Sequence, residues 1–291
     1  MNKFGVFTLT ALGTLGVVAG GTAIALSTPQ VQDKLKDHYS ETIVVEVPGQ
    51  TEPEEPTINI NLADYEFTLD EESKTATITK YNGTDANLVL PSTLSVTEEG
   101  EYIAGEDYSV TAIGSSAFER NYFIHYVVIP DSVTKIGSSA FSHCDYLLSI
   151  TLPDNLNSLS SFTFNYCKNL RSVVIPNSVV AINPSCFSDC DSLTSIIIPK
   201  NVSSIYGSAF LDCTNLNNVI IESNYIYKNA TSTSVVGNLL FYADTIKVLA
   251  TIVDNEENVN EFLNNSENYT RTLDDDGVYY TYTKVVNEET V

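Results

Sequence analysis

The sequence predicts a repeat solenoid, a stack of short coils that carry parallel β-strands. Three observations lead to this prediction. A 23-residue pattern occurs five times in succession without an insertion, apolar residues return at the same positions in each copy, and a proline closes the same apolar run in four of the five copies. A fixed period of this length is typical of proteins in which each coil buries its apolar side against its neighbours.

The repeated positions define three apolar columns. The copies start at Val110, Val133, Leu156, Val179 and Val202. The columns consist of Phe118, Phe141, Phe164, Phe187 and Phe210, of Ile113, Ile136, Leu159, Ile182 and Ile205, and of Ile124, Leu147, Leu170, Leu193 and Leu216. Since composition alone does not keep five copies in register, we interpret these columns as the stacked core of the solenoid.

Each copy contains one short strand. In the run "LLSITLP", Ile150 and Leu152 alternate around a threonine, as a strand with one buried face requires. Pro153 ends this strand because proline cannot donate a hydrogen bond to a β-ladder. Gly114 and Gly137 stand where the chain must bend, and we expect them to adopt the positive φ that costs glycine little.

The pattern LxxIxLPxxVxxIGxxAFxxCxxL resembles the 23-residue repeat of the BspA-like, or Treponema-type, leucine-rich repeat proteins. It matches phenylalanine, cysteine, proline and the apolar columns together over residues 108–224. The resemblance implies a right-handed leucine-rich-repeat coil stack with parallel strands, short turns or 3-10 segments, and β-rich caps at both ends. It also implies a surface-exposed or secreted protein that adheres to host proteins or other cells and whose repeats carry no catalytic machinery.

The segments on either side of the repeats are interpreted as caps. Residues 109–224 hold the five repeats, and residues 58–108 form the expected N-terminal β cap, in which "LVLP" echoes the repeat strand. In the fifth copy Glu222 stands in place of the proline, and after it the pattern is lost. Residues 225–291 form the expected C-terminal cap. Terminal coils need such caps because they must cover the last apolar cross-section with a polar outer face.

The N-terminal segment predicts export from the cytoplasm. Residues 4–26 are uncharged and largely apolar, follow Lys3, and end in small residues that suit a signal-peptidase site. Residues 1–27 are therefore a cleaved signal peptide or an uncleaved signal anchor, since a run of about 20 apolar residues can also span a bilayer. Residues 28–57 are expected to be an acidic extracellular spacer. Both alternatives predict a protein that is secreted or anchored to the cell membrane by its N-terminal segment.

The charge distribution argues against nucleic-acid binding. The net charge is −23, so no positive field is available to displace the counterions of phosphate groups. Most of this charge lies in the flanks: residues 28–107 carry −14, whereas residues 108–224 carry only −3. We therefore expect a nearly neutral repeat region.

Four cysteines share one column of the repeat. They are Cys144, Cys167, Cys190 and Cys213, with Asn121 in the same position of the first copy. We expect a ladder of buried thiols that act as small apolar side chains, with Cys186 buried beside it. One or two disulfides between neighbouring coils are the alternative, because stacked strands lie about 4.8 Å apart. A metal site is not expected, since tetrahedral ligands must converge on one point and this column is a line.

The sequence predicts neither an enzyme nor a cofactor. His125 and His143 belong to different coils, and the serines of the "GSSAF" motif recur as bend residues would. No nucleophile therefore stands in an arrangement that predicts a neighbouring base, and no catalytic residue is assigned.

The candidate binding residues lie on the outer face of the strands. Each strand places one outward residue between two buried ones, and these outward residues form an apolar stripe. Together with neighbouring positions they give eight candidates: Tyr126, Val128, Leu148, Thr151, Arg171, Val174, Ile197 and Ile220. Contiguous apolar patches often mark interaction sites, and Tyr and Arg are enriched at binding hot spots. A purely structural role is the alternative, because β-branched residues on neighbouring strands also stabilise a sheet.

These features together predict a non-enzymatic binding or adhesion protein of the cell surface. Its partner would be a protein or a glycan, bound through the strand face, and contact with a membrane would be limited to an uncleaved N-terminal segment. The alternative is a structural surface protein that self-associates through the same stripe or through the edge of the sheet.

Overall fold

The computed structural model of the chain describes residues 5–10, 42–47, 60–224, 243–249, 253 and 269–284. The chain divides into two units, residues 1–59 and residues 60–291. In the first unit, β1 (Gly5–Thr10) pairs antiparallel with β2 (Thr42–Val47). The rest of the predicted signal segment and spacer lies outside the described residues. No helix in the described part of the chain is both long and apolar enough to cross a membrane.

The regular secondary structure in the described part of the second unit is almost entirely short strands, which turns connect. A 3-10 helix, η1 (Leu62–Asp64), precedes β3 (Tyr65–Asp70), β4 (Thr75–Tyr81), β5 (Asn87–Val89), β6 (Thr93–Val96), β7 (Tyr102–Ile113), β8 (Tyr126–Val128), β9 (Lys135–Ile136), β10 (Ser149–Thr151) and β11 (Ser158–Leu159). The chain continues with β12 (Ser172–Val173), β13 (Ala181–Ile182), β14 (Ser195–Ile198), β15 (Ser204–Ile205), β16 (Asn218–Ile221), β17 (Thr245–Leu249), β18 (Tyr269–Leu273) and β19 (Tyr279–Lys284). The predicted solenoid is confirmed, with about five turns and parallel strands.

One side of the solenoid is a series of parallel strands, one from each coil. β5, β8, β10 and β12 pair in this order, and β14, β16 and β17 continue the series as a second sheet. The strands are in register: Ile150 lies opposite Val127 on one side and Val173 on the other. We call this side the strand face. Paired residues on these neighbouring strands are 23 residues apart in the sequence, so the length of the repeat sets the register of the sheet.

A narrower set of parallel strands forms the other side. β11, β13 and β15 pair in register with two residues each, and β9 pairs with the end of β7. Each strand buries its second residue, so that Ile136, Leu159, Ile182 and Ile205 point into the core as the sequence predicts.

A stack of phenylalanine rings runs along the interior. Phe118, Phe141, Phe164, Phe187 and Phe210 are buried, and neighbouring ring centroids are 4.8–5.8 Å apart with planes inclined by 12–16°. The stack continues beyond the first repeat, because the Tyr81 ring lies 5.4 Å from that of Phe118 and 4.8 Å from that of Tyr65. β3 and β4, which precede the repeats, therefore share one core with the coils.

The turn around each phenylalanine contains two residues in the left-handed conformation, and none of them is a glycine. They are Ser116, Ser139, Phe162, Ser185 and Ser208 before the phenylalanine, and Arg120, His143, Tyr166, Asp189 and Asp212 after it, with φ between 53° and 60°. In the first coil, the N–H groups of Ser116, Phe118 and Arg120 donate to Ser138, Ala140 and Ser142 of the next. Every second residue of this turn donates its N–H group to a carbonyl of the next coil. The left-handed residues at the start and at the end of the turn make this direction possible.

The expectation that Gly114 and Gly137 adopt positive φ is wrong. Neither has a left-handed backbone, and the bend is made two residues later. Gly137 is needed for space instead, because a Cβ there would lie 2.5 Å from the backbone nitrogen of Ser115 in the preceding coil. The glycine thus permits two coils to approach closely.

Strands that depart from the repeat stand at both ends. At the N-terminal end, β3, β4, β7 and β6 form a sheet in this order, and β7 continues past residue 108 into the first repeat. At the C-terminal end, β17 follows the strand face in parallel, whereas β19 pairs with it antiparallel and carries β18 on its other side. The series of parallel strands thus ends at β17.

Candidate binding face

The predicted apolar stripe is present on the strand face. Val128, Thr151, Val174, Ile197 and Ile220 are half-buried, whereas the residues on either side of each are buried. The register extends the stripe at both ends, since Val89 lies opposite Val128 and Lys247 lies opposite Ile220. Lys247 places its Nζ 2.7 Å from Oδ2 of Asp274, so the stripe ends at an ion pair.

A second column on the same face is polar and neutral. It lies two residues before the stripe and consists of Asn87, Tyr126, Ser149, Ser172, Ser195, Asn218 and Thr245. Tyr126 is the only aromatic residue in this column. The face therefore offers hydroxyl and amide groups beside aliphatic ones, and Lys247 is the first charged residue in either column.

The remaining two candidates lie where the chain enters the strands. Leu148 is half-buried and Arg171 is exposed, and their backbones are linked because the Arg171 N–H donates to the Leu148 carbonyl at 3.1 Å. The Leu148 N–H donates in turn to the carbonyl of His125 in the preceding coil. The structure thus places all eight predicted residues on the strand face or at its rim, and of these eight only Arg171 is charged.

The sequence reasoning missed a group of exposed aromatic side chains at this rim. Tyr122, Phe123 and Tyr146 have 48%, 53% and 52% of their surface exposed, whereas the rings of the phenylalanine stack are buried. The His125 ring makes an edge contact with that of Tyr146, with centroids 6.1 Å apart and planes inclined by 61°, and Tyr126 follows His125 in β8. We call these five residues of the first two coils the aromatic corner. The signal in the sequence was the letters "YF" and "Y" at positions that other copies fill with polar residues.

Asn121 holds the aromatic corner in place. Its Oδ1 accepts hydrogen bonds from the N–H groups of Phe123 and Ile124 at 2.9 and 3.2 Å, and its Nδ2 donates to the carbonyl of Gly83 at 3.1 Å. In later coils a backbone carbonyl accepts the equivalent N–H, as when Leu147 donates to Cys144. The asparagine side chain therefore closes the turn that presents Tyr122 and Phe123. Its bond to Gly83 also connects this turn to the segment between β4 and β5.

The cysteine column is a ladder of free thiols, as predicted, and not a set of disulfides. All five cysteines are buried and unpaired. Each thiol of the column donates to the carbonyl of the phenylalanine in the preceding coil, at 3.0–3.2 Å. Burial raises the pKa of Cys144 and Cys213 to about 12, so these thiols keep their protons at neutral pH. The cysteines are hydrogen-bond donors as well as apolar side chains.

The two histidines of the repeats contact tyrosines. Apart from the contact of His125 described above, the His143 ring stacks on that of Tyr166 at 4.7 Å, and the Lys168 ammonium lies 5.8 Å from the same ring. In the described part of the chain no three His, Cys, Asp or Glu side chains are grouped as a metal site would require.

The comparisons with known proteins agree with this architecture. The family model "BspA type Leucine rich repeat region" matches residues 111–235 with six copies. The leucine-rich repeat protein of T. pallidum is 31% identical, and the match covers 55% of this chain and 70% of that one, with a TM-score of 0.50. The chain belongs to the BspA-type leucine-rich repeat family.

Other members of known structure are more distant. A leucine-rich repeat protein from Bacteroides ovatus is 23% identical over 57% of this chain and 49% of its own, with a TM-score of 0.46. A leucine rich cell surface protein from Faecalibacterium prausnitzii is 26% identical over 58% and 56%, with a TM-score of 0.32. A comparison with curated proteins gave no significant match. BspA-type repeat proteins are commonly surface-associated, typically non-enzymatic, and involved in binding.

Proposed function

We propose that this BspA-type repeat protein is a non-enzymatic binding protein of the cell surface, which recognises a protein or a glycan through the strand face. The observation that carries the proposal is that repeated positions and variable positions differ in burial. The repeated positions are buried and build the core, whereas the strand face and its rim are partly exposed and differ from coil to coil. A face that varies on a constant scaffold is what recognition of a partner requires.

The charge of the strand face supports the same proposal. The stripe and the polar column are neutral from β5 to β16, although the whole chain carries −23. A neutral face with aliphatic, hydroxyl and amide groups desolvates at lower cost than a charged one. The strong negative charge elsewhere keeps copies of the protein apart, which favours a foreign partner over self-association through this face.

The location of the protein is part of the proposal. BspA-type repeat proteins are often extracellular, and the apolar residues 4–26 predict export. Protease treatment of intact cells should release a folded fragment that starts in the acidic spacer, whereas a cytoplasmic control protein stays intact. Protection of the repeat region until the cells are lysed would contradict surface display.

Binding through the strand face is tested with a charge substitution. The double variant Ile197→Lys, Ile220→Lys places two ammonium groups on β14 and β16, where the register makes these two residues direct neighbours in the stripe. Labelled protein is titrated onto epithelial cells, and the double variant is expected to bind at least tenfold more weakly than the unmodified protein.

Val180→Lys is the matched control for this experiment. Val180 is also β-branched and 36% exposed, but it lies just before β13, outside the strand face. Its variant should bind like the unmodified protein. Equal binding by all three proteins, with unchanged unfolding midpoints, would remove the strand face from consideration. Light scattering at increasing concentration separates self-assembly, since the proposal expects a monomer throughout.

A further inference from the structure

The aromatic corner is the most exposed apolar feature beside the strand face. Tyr122, Phe123 and Tyr146 each leave about half of their surface in contact with solvent, and they occupy consecutive coils of one rim. Isolated apolar residues on a surface need no explanation, but a contiguous group of large rings often marks an interaction site. Among the described residues, the only ring contact of this corner is the edge contact between His125 and Tyr146.

The corner is held ready by the backbone. The turn that presents Tyr122 and Phe123 is closed by the three hydrogen bonds of Asn121, and β8 fixes the following residues to β10. Ser149 also donates its N–H to the carbonyl of His125, which ties the second coil to the first. Rings presented by an ordered backbone lose less conformational entropy on binding than rings on a free loop.

The surroundings of the corner favour a sugar ring as the occupant. The neutral polar column passes through it, with Tyr126 and Ser149 opposite one another in the sheet and Ser172 next in the column. A sugar presents C–H groups on its ring face and hydroxyl groups at its rim, so it can pack on an aromatic ring while its hydroxyls bond to neutral polar side chains. A purely apolar ligand would leave the hydroxyl and amide groups of this column without partners.

One buried oxygen near the corner lacks a hydrogen-bond donor. Oδ1 of Asp145, next to Tyr146, is inaccessible to solvent and accepts no hydrogen bond from the described part of the protein. A buried acceptor without a donor is destabilising, and because this oxygen is inaccessible to solvent it can act on a ligand only through the charge of the carboxylate. The carboxylate together with the net charge of −23 also disfavours an acidic ligand.

We propose that the aromatic corner is a subsite for a neutral glycan, with Tyr122, Phe123 and Tyr146 as its packing surface. This inference rests on the proposed function, because it names the chemical class of the partner that the strand face would recognise. A protein partner at the same corner is the competing outcome of the test.

The test uses native gels that contain a soluble polysaccharide. The probes are mannan, amylopectin and arabinogalactan as neutral polymers, and heparin as an acidic one. At least one neutral polymer should retard the unmodified protein, and heparin should not. The double variant Phe123→Ala, Tyr146→Ala should lose at least tenfold in affinity for that polymer. The Tyr206→Ala variant should retain it, because Tyr206 is similarly exposed, at 48%, but lies after β15 on the other side of the solenoid.

The outcomes separate this inference from the proposed function. No retardation by any neutral polymer, or equal retardation of the double variant, would overturn the glycan subsite. If binding to cells survives periodate oxidation of their glycans but is lost after protease treatment and in the Ile197→Lys, Ile220→Lys variant, the partner is a protein and only the inference fails. If none of these probes or cells binds the protein, both fail.

Discussion

The thiol of Cys167 donates a hydrogen bond to the carbonyl oxygen of Phe141, with Sγ and O 3.1 Å apart, and thereby joins two consecutive coils in the interior. The Cys167→Ala variant removes this donor and leaves a small cavity. We expect the free energy of unfolding to fall by about 1–3 kcal/mol, as measured by urea denaturation. The control is Cys186→Ala, because three other copies already have alanine there, at Ala117, Ala140 and Ala209. Equal losses for the two variants would show that the hydrogen bond contributes nothing.

The state of the thiols gives a second prediction. All five cysteines are free and buried, so a thiol-specific reagent should label none of them in the folded protein and all five after unfolding in denaturant. The count is made by mass spectrometry without a reducing agent. Fewer than five labels in denaturant would reveal a disulfide and contradict the thiol ladder.

Alkaline pH should destabilise the protein. Burial raises the pKa of Cys144 and Cys213 from 9.0 to about 12, and the pKa of the other three thiols is also raised. Between these values an unfolded thiol is ionised while the folded one stays protonated, so the folded state binds more protons. The stabilisation is complete below pH 9, and each thiol should lose about 1.4 kcal/mol for every pH unit above it.

The measurement is urea denaturation at pH 7, 9 and 10. Cys144→Ala serves as the control. Above pH 9 the free energy of unfolding of this variant should fall less steeply than that of the unmodified protein, by about 1.4 kcal/mol per pH unit, because one thiol is missing. Tyrosine ionisation contributes equally to both proteins and cancels in the comparison. Identical slopes would contradict the assignment of a raised pKa to Cys144.

Truncation of two phenylalanines in the same turn should change the stability of the protein by very different amounts. Phe164 is buried in the ring stack, between Phe141 and Phe187, and Phe164→Ala should cost about 3–5 kcal/mol. Phe162, two residues earlier, is 44% exposed, and Phe162→Ala should change stability by no more than about 0.5 kcal/mol. Thermal denaturation of both variants checks the prediction, and a large loss for Phe162→Ala would contradict the assigned burial.

Asn121 should matter more than its single position suggests. Asn121→Ala removes three hydrogen bonds, and we expect a loss of about 1–3 kcal/mol in the free energy of unfolding. Asn215→Ala is the matched control, because Asn215 makes one exposed hydrogen bond, to the carbonyl of Asp191, and should lose less than about 0.5 kcal/mol. A loss of similar size for both would mean that the turn is not closed by Asn121.

The core of the coils and the strand face could be predicted from the sequence because the buried positions of the repeat recur in successive copies. A single apolar residue is ambiguous, but a column such as that of Phe118 indicates burial in each copy at once. The outward positions followed from the two-residue alternation of the strands, and the half-buried state of Ile197 and Ile220 agrees with it. Their role in binding stays a prediction.

The features that the sequence did not predict are not marked by a characteristic residue type. The left-handed positions are occupied by Ser, Phe, Arg, His, Tyr and Asp, so no single residue type marks them, whereas Gly137, for which positive φ was expected, is required for steric reasons. The aromatic corner stands at positions that differ between copies, where a column cannot form. Lys247 was missed because the register, and not the repeat motif, places it at the end of the stripe.

The backbone hydrogen bonds between coils have a consequence for how such a protein can change in length. Phe118 donates to Ala140, Phe141 to Thr163, Phe164 to Cys186 and Phe187 to Ala209, always with the same offset. A deletion or duplication of 23 residues therefore leaves every remaining donor opposite an equivalent acceptor, while a change of one residue misaligns a whole coil. The array can gain or lose reach along its axis only in whole turns, so recombination between copies is a route by which this surface can be lengthened without redesigning its interior.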